Sequence, residues 1–298
     1  TGDFKTWMKM PGHWPPEQQF GPEPDNGAPA EDLWEITAQL HELRCAKPLP
    51  DAEWTLEMST KAKKQLGADT AEHVVKLVNE LEARHIEGDV LAFLPNSALI
   101  NDAVETIEKG IDLECADVYA LIQSASPDQK EAALESRPRG EKRKIVVSTN
   151  LAETSLTVSG VRFVVDCALT TQGAWNPTLA SKSVPTTLHS QAGVRQRWGR
   201  VGRDSPGWVF PLYTRSQFDQ LPRNTPAGST RENLEQLVMK AKAAGIDDVV
   251  GFPWPAAHQF GEPDKATADA MALFEQELHR ANEALAATGV VDTEGHLT

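Results

Sequence analysis

The chain has 298 residues, 40% hydrophobic, 24% charged and 6% aromatic, an ordinary globular composition with apolar material for one or two cores. At roughly 100–200 residues per domain, two domains are expected, and no apolar run of about 18 residues exists to span a membrane as a helix. The net charge of −14, from 29 basic and 43 acidic residues, by itself opposes nucleic-acid binding, because phosphates repel an acidic surface.

The chain opens at Thr1 rather than Met, the start expected of a fragment or a processed chain. No positively charged start leads into an apolar stretch, so no signal peptide is expected. Residues 1–70 are expected to be a Pro-rich irregular extension: Pro11, Pro15, Pro16, Pro22, Pro24 and Pro29 interrupt any apolar period. Within it, Leu33, Ile36, Leu40 and Leu43 stand at helical spacing and predict a helix near 32–44. A second helix is predicted from Thr70 to His85, with Val74, Leu77, Val78 and Leu81 facing inward.

The period then changes. Val90 to Leu94 is a short continuous apolar run that stops at Pro95, the pattern of a strand buried on both faces. The pattern recurs at Lys144 to Ser148 and at Arg162 to Asp166, with helical stretches near 98–109 and around Pro127 to Lys130. Strands alternating with helices predict an α/β fold, a parallel sheet with helices on both faces, over 71–224. Trp208 to Tyr213 is a further strand, which Pro211 would push to an edge. After about residue 225 no buried-strand run remains. Helices are predicted at 231–244, ended by Gly245, and at 265–287, ended by Gly289, the latter with Phe274, Leu278, Ala281 and Leu285 on one stripe. This makes 225–298 a separate small helical module. Cys45, Cys115 and Cys167 are odd in number and widely spaced, which fits a reducing compartment better than a disulfide framework or a zinc site.

The charge is segregated. From Arg137 to Arg203 there are eleven basic residues and three acids, a net +8 set in an otherwise strongly acidic chain. Positive charge concentrated in this way marks where an anion is expected. Its sharpest part is Gln196-Arg197-Trp198-Gly199-Arg200-Val201-Gly202-Arg203. If helical, Gln196, Arg200 and Arg203 fall at i, i+4 and i+7 on one face. No acid occurs from Ser190 to Arg203 to neutralise the arginines, and Gly199 and Gly202 let another surface approach closely. Guanidinium forks match phosphate geometry and can stabilise charge on a transferred phosphoryl group. A solvated basic face is the plainer reading, and the interleaved glycines weigh against it.

A second cluster, Ser148 to Thr157, directly follows a buried strand. In open α/β sheets ligands gather beyond the carboxyl ends of strands, where short hydroxyls and free amides can grip a sugar–phosphate backbone. Helix capping would explain one or two of these residues but not the whole cluster. The chain contains no Gly-Lys pair, and so no Gly-x-x-x-x-Gly-Lys-Ser/Thr phosphate loop. It also lacks an Asp-Glu-Ala-His box, a Gly-x-Ser-x-Gly elbow, a His-Glu-x-x-His and a Cys-x-x-Cys.

Together the two clusters closely resemble motifs V and VI of the DEAH-box RNA helicases. Leu91 to Asn96 resembles motif IV, and Ser126 to Lys130 the segment after it. Trp175-Asn176-Pro177 stands where this family carries a β-hairpin. Trp208 to Thr214 is similar to the strand after motif VI. Gly245 to Asp248 and Gly295 to Thr298 resemble the two ends of the winged-helix domain that follows. The resemblance spans about residues 70–298. It implies a RecA-like second motor domain at 71–224 and a winged-helix domain at 225–298.

The resemblance also implies roles. Arg200 and Arg203 would be arginine fingers on the γ-phosphate of ATP, and Gln196 would order the attacking water or that phosphate. Thr157 would sit near the ribose and Ser155 would sense nucleotide state. Ser159, where the family commonly has an acid, is counted with the nucleotide-binding residues. Thr149, Asn150 and Arg197 would contact RNA. The Tyr119 to Ser124 region departs from the family's usual Leu-His-Ser pattern. The implied partners are RNA, ATP and a preceding RecA-like domain that holds the phosphate loop and the magnesium ligands, with no membrane partner. An intracellular protein is implied, cytoplasmic or nuclear if eukaryotic. The chain alone is then expected to be inactive, and the rival reading is a non-catalytic RNA- or protein-binding module on the same fold.

Overall fold

The computed structural model describes residues 49–56, 58–137, 141–154, 156–176, 181–201, 207–225, 233–254, 265–292 and 296–298. The helix expected near 32–44, with Cys45, lies outside the described residues. The chain divides into two compact units, the first containing residues up to 171 together with 186–224, the second 172–185 and 225–298.

The first unit begins earlier than the sequence suggests. Leu49, Trp54 and Met58 are buried in its core, around a short 3-10 turn at Asp51–Glu53. Trp54 donates its indole N–H to the Gln217 carbonyl (3.0 Å), and its ring lies 5.6 Å from that of Tyr213. The Gln217 amide returns bonds to the Leu49 carbonyl (2.6 Å) and to Asp51 (2.9 Å). Helix α1, Thr60–Ala83, is capped by Ser59, whose hydroxyl accepts from the Ala62 N–H. The boundary expected at 70 therefore falls inside this helix. Its first ten residues escape a periodicity reading because Lys61, Lys63 and Lys64 crowd them and the buried face there includes only Ala62, Leu66 and Gly67.

The chain continues through β1 (Asp89–Phe93), α2 (Ser97–Gly110), β2 (Ala116–Leu121), α3 (Pro127–Leu134), β3 (Arg143–Ser148), the short α4 (Leu151–Thr154) and β4 (Val161–Asp166). An antiparallel pair, β5 (Leu169–Thr171) with β8 (Thr186–Leu188), leads to α5 (Gln191–Trp198), β9 (Trp208–Pro211) and α6 (Arg215–Asp219). Five strands form one parallel sheet in the order β2-β3-β1-β4-β9. Every residue of β3, and Val90 to Phe93 of β1, is buried, so both faces are covered. Strand β9 takes an edge, as Pro211 requires, since proline has no N–H to give a further neighbour. The sequence reading had no β2. That strand takes the other edge, four of its six residues are half-exposed, and Asp117 and Tyr119 break the apolar run.

His73, on α1, is 4% exposed, with its ring 5.4 Å from Phe210. Burial, helped by the nearby Lys76 charge, lowers its pKa to about 4. It is therefore neutral in the fold, while the unfolded chain takes up a proton between about pH 6.5 and pH 4. Stability should fall as pH drops through that window, by up to about 3 kcal/mol from this group alone. Urea midpoints at pH 7 and pH 4.5 should differ less for His73→Leu than for the wild type, and equal drops in both proteins would remove His73 as the source.

The second unit contains the antiparallel pair β6 (Ala174–Asn176) and β7 (Ser181–Ser183). It also holds α7 (Leu234–Ala243), α8 (Lys265–Ala287) and a bridge between Val291 and Leu297. Phe274, Leu278, Ala281 and Leu285 bury together against Leu234 and Val238, as the stripe predicts. Gly245 and Gly289, at φ +86° and +74°, follow the two helices where the chain turns away.

Candidate nucleotide and RNA interface

The carboxyl edge of the parallel sheet is built from the residues that follow each strand. After β3 the chain turns at Thr149 and Asn150 into α4: Ala152 and Glu153 return N–H bonds to the Thr149 and Asn150 carbonyls (3.4 and 3.0 Å). Asn150 is exposed and Thr149 half-buried. Helix α5 is capped by Ser190, whose hydroxyl accepts from the Gly193 N–H (3.1 Å).

Between these elements lies a buried ionic chain. Arg197, with 0% exposure, points inward from α5. Its Nε donates to Glu153 Oε2 (3.0 Å) and its Nη1 to Asp166 Oδ1 (3.0 Å). Its guanidinium also covers the Phe93 ring at 4.9 Å. The same Glu153 oxygen lies 2.8 Å from His189 Nε2. Asp166 ends β4 and is fully buried. It accepts from the Ala168 N–H (2.9 Å) and from the Tyr213 hydroxyl (3.1 Å).

Burial pushes the Glu153 carboxyl upward, but the His189 hydrogen bond and the Arg197 charge outweigh it and hold the group below its ordinary value. For Arg197, burial opposes the charged form. The Asp166 and Glu153 carboxylates overcome it and raise the guanidinium further. Burial, then Asp166, pushes the Tyr213 hydroxyl well above its usual value. The same two causes take the Cys167 thiol up to about 11, so it is no nucleophile at neutral pH.

This geometry corrects one assignment. Arg197 cannot contact RNA: it has no exposed surface and is held by Glu153 and Asp166. The absence of acids between Ser190 and Arg203 says nothing about acids that the fold delivers from 31 and 44 residues away. Ser159 stands in the turn just before β4, beside Gly160, whose carbonyl accepts from Asp89 at the start of β1. That is the amino edge, about 20 Å from the Thr149 turn at roughly 3.3 Å per strand residue, so Ser159 stands apart from the Thr149 and Asn150 pair.

Of the helical face expected for Gln196, Arg200 and Arg203, only Gln196 and Arg200 are described. Helix α5 ends at Trp198, and the chain tightens so that Arg200 and Val201 donate to the carbonyls three residues back (3.0 and 3.2 Å). Gln196 is exposed on α5, and Arg200, half-buried beyond its end, donates Nη2 to the main-chain carbonyl of Glu153. Thr157 is exposed in the loop after α4. Ser155 and Arg203 lie outside the described residues. Thr149, Asn150, Gln196 and Arg200 are thus gathered around α4 and α5.

Sequence reasoning missed Glu153, Asp166, His189 and Tyr213 as the supports of this edge. The available signal was an acid ending an apolar strand, Asp166, which needs a buried partner. Among the described residues no group of three His, Cys, Asp or Glu side chains could hold a metal ion. Nor is any described helix long and apolar enough to cross a membrane.

Gly193 is required by the same network, because a Cβ there would overlap the His189 ring. Glycine to alanine inside a helix ordinarily stabilises by about 0.5–1 kcal/mol. Here Gly193→Ala should instead destabilise by about 1–3 kcal/mol, by forcing His189 off Glu153. A thermal melt decides by sign, and a raised midpoint would contradict the packing.

Residues 71–205 match the family model described as the helicase conserved C-terminal domain. The chain is 32% identical over 237 residues to a probable ATP-dependent RNA helicase of Saccharomyces cerevisiae, DHR2, the match covering 77% of this chain and 30% of that protein. It is 34% identical over 239 residues to the human probable ATP-dependent RNA helicase DHX35, covering 77% and 31%. The crystal structure of the Escherichia coli DExH-box NTPase HrpB matches with a TM-score of 0.61 at 26% identity, over 84% of this chain and 27% of that one. The chain therefore spans less than a third of the length of these relatives.

Proposed function

We propose that this chain, which belongs to the DEAH-box RNA helicases through its RecA-like helicase C-terminal domain, is the second motor domain of an ATP-dependent RNA helicase. The supporting observation is the gathering of Thr149, Asn150, Gln196 and Arg200 around α4 and α5, on a support anchored by buried Arg197. Thr149 and Asn150 hold the backbone of an RNA strand. Arg200, with Arg203, meets the γ-phosphate of an ATP bound chiefly by a preceding RecA-like domain, and Gln196 orders the attacking water. Thr157 and Ser155 approach the nucleotide from the loop after α4. Residues 225–298 serve as a winged-helix domain.

ATP with magnesium supplies the free energy, and the preceding domain supplies the phosphate loop and the metal ligands. The arginines neutralise charge that develops on the transferred phosphoryl group. Closure of the two domains brings them to it, and hydrolysis releases them, so that the grip on RNA alternates and the strand advances.

The test is a comparison of ATPase rates with and without single-stranded RNA. The 298-residue chain should show no RNA-stimulated turnover, and the same chain joined to a preceding domain with a Gly-Lys-Ser/Thr loop and an Asp-Glu-Ala-His box should show it. Turnover by the chain alone would refute the division of labour. RNA binding without turnover in the joined protein would favour a non-catalytic binding module.

A further inference from the structure

We propose that Glu153 is a positioning residue through which a strand held at Thr149 and Asn150 sets the placement of Arg200. The inference rests on reading Arg200 as a phosphate-facing arginine. Glu153 lies in α4, directly after the two RNA-facing residues, and its N–H is bonded to the Asn150 carbonyl at 3.0 Å. Turn and helix therefore move as one piece.

From that piece Glu153 reaches three other places in the chain. Its carboxylate oxygen Oε2 meets His189, which follows β8, at 2.8 Å and Arg197, inside α5, at 3.0 Å. Its main-chain carbonyl accepts from Arg200, beyond the end of α5. One oxygen serving two buried cations or donors has little freedom to shift, because moving toward one lengthens the other bond. Glu153 is 6% exposed, so water cannot replace either contact. The side chain thus fixes the peptide on which Arg200 rests. A displacement of the Thr149 turn by a bound strand is passed to the guanidinium through a single residue. Asp166 plays no such part, since it holds Arg197 from the end of a strand.

The experiment uses the chain joined to its ATP-binding domain. Glu153→Gln keeps the shape and the main-chain carbonyl while removing the charge. It should lower the RNA-stimulated kcat about tenfold or more, with the KM for ATP and the Kd for RNA changing less than about threefold, because the lost contact acts in the transition state. Combined with Arg200→Ala, it should cause no further loss, since both act through one group. Losses that multiply in the double variant would overturn the inference. A wild-type rate for Glu153→Gln beside a defective Arg200→Ala would also overturn it, leaving the motor reading standing. A wild-type rate for Arg200→Ala would instead sink the motor reading and the inference with it. Thermal melts accompany each variant. Should Glu153→Gln not fold, His189→Gln, which leaves the Arg197 pair in place, is read in the same cycle, with the same outcomes deciding.

Discussion

Replacing Arg197 with alanine should cost the folded domain about 3–5 kcal/mol, the loss expected when one partner of a buried ion pair is removed. Arg197 stands between two carboxylates, Glu153 at 6% exposure and Asp166 at 0%. Its removal leaves both buried without their main cation, and it also empties the space beside Phe93. Tyr213 and the Ala168 N–H still serve Asp166, and His189 still serves Glu153, so the damage falls on charge compensation rather than on every hydrogen bond.

Arg197→Met, which keeps much of the volume, should recover part of the packing but little of the electrostatic loss. Urea unfolding followed by tryptophan fluorescence is the direct measurement. The loss should shrink in acid, because the Glu153 carboxyl is held below its ordinary value in the fold: the stability its ion pair contributes is present above the unfolded value of about 4.3 and lost as pH falls through the lower, folded one. A variant as stable as the wild type with weakened RNA binding would instead restore the surface role that its neighbours in sequence suggest.

The second large effect concerns turnover. In the chain joined to its ATP-binding domain, Arg200→Ala and Arg203→Ala should each reduce the ATPase kcat by a factor on the order of 10³–10⁵, the range that such arginines contribute in phosphoryl transfer. The KM for ATP should change far less, because the guanidinium meets charge that appears only as the γ-phosphoryl group leaves. For Arg200 the side chain already lies at the Glu153 carbonyl, in the helix that follows the Thr149 and Asn150 turn. For Arg203 the expectation stands on the motif alone. Lysine at either position should restore only a fraction of the rate, since a point charge lacks the guanidinium fork. Equal rates in wild type and both alanine variants would leave the cluster without a role in catalysis.

The parts of the fold written most plainly in the sequence are those where burial is uniform. β1, β3 and β4 are continuous apolar runs because water reaches neither face, and α8 shows its stripe because one side alone is buried. Legibility fails at borders. β2, at a sheet edge, mixes Asp117 and Tyr119 into its run, and the first turns of α1 present lysines and small residues where a large apolar period was sought.

In the functional region, local sequence located the two clusters but could not sort their arginines. Arg197 and Arg200 are three residues apart with similar neighbours. One is sealed within the core and the other emerges, and the difference lies in Glu153 and Asp166, which only folding delivers.

The clasp made by Trp54 and Gln217 has a mechanical consequence. It ties the stretch from Leu49 to Trp54 to α6, only a few residues before the polypeptide leaves the α/β unit. Tension applied between those two points is borne by a handful of neighbouring bonds and one pair of tilted rings in contact. The ladder between strands lies outside that line of force, so the unit, pulled at those two points, would shed its load at the clasp before any strand parted from the next.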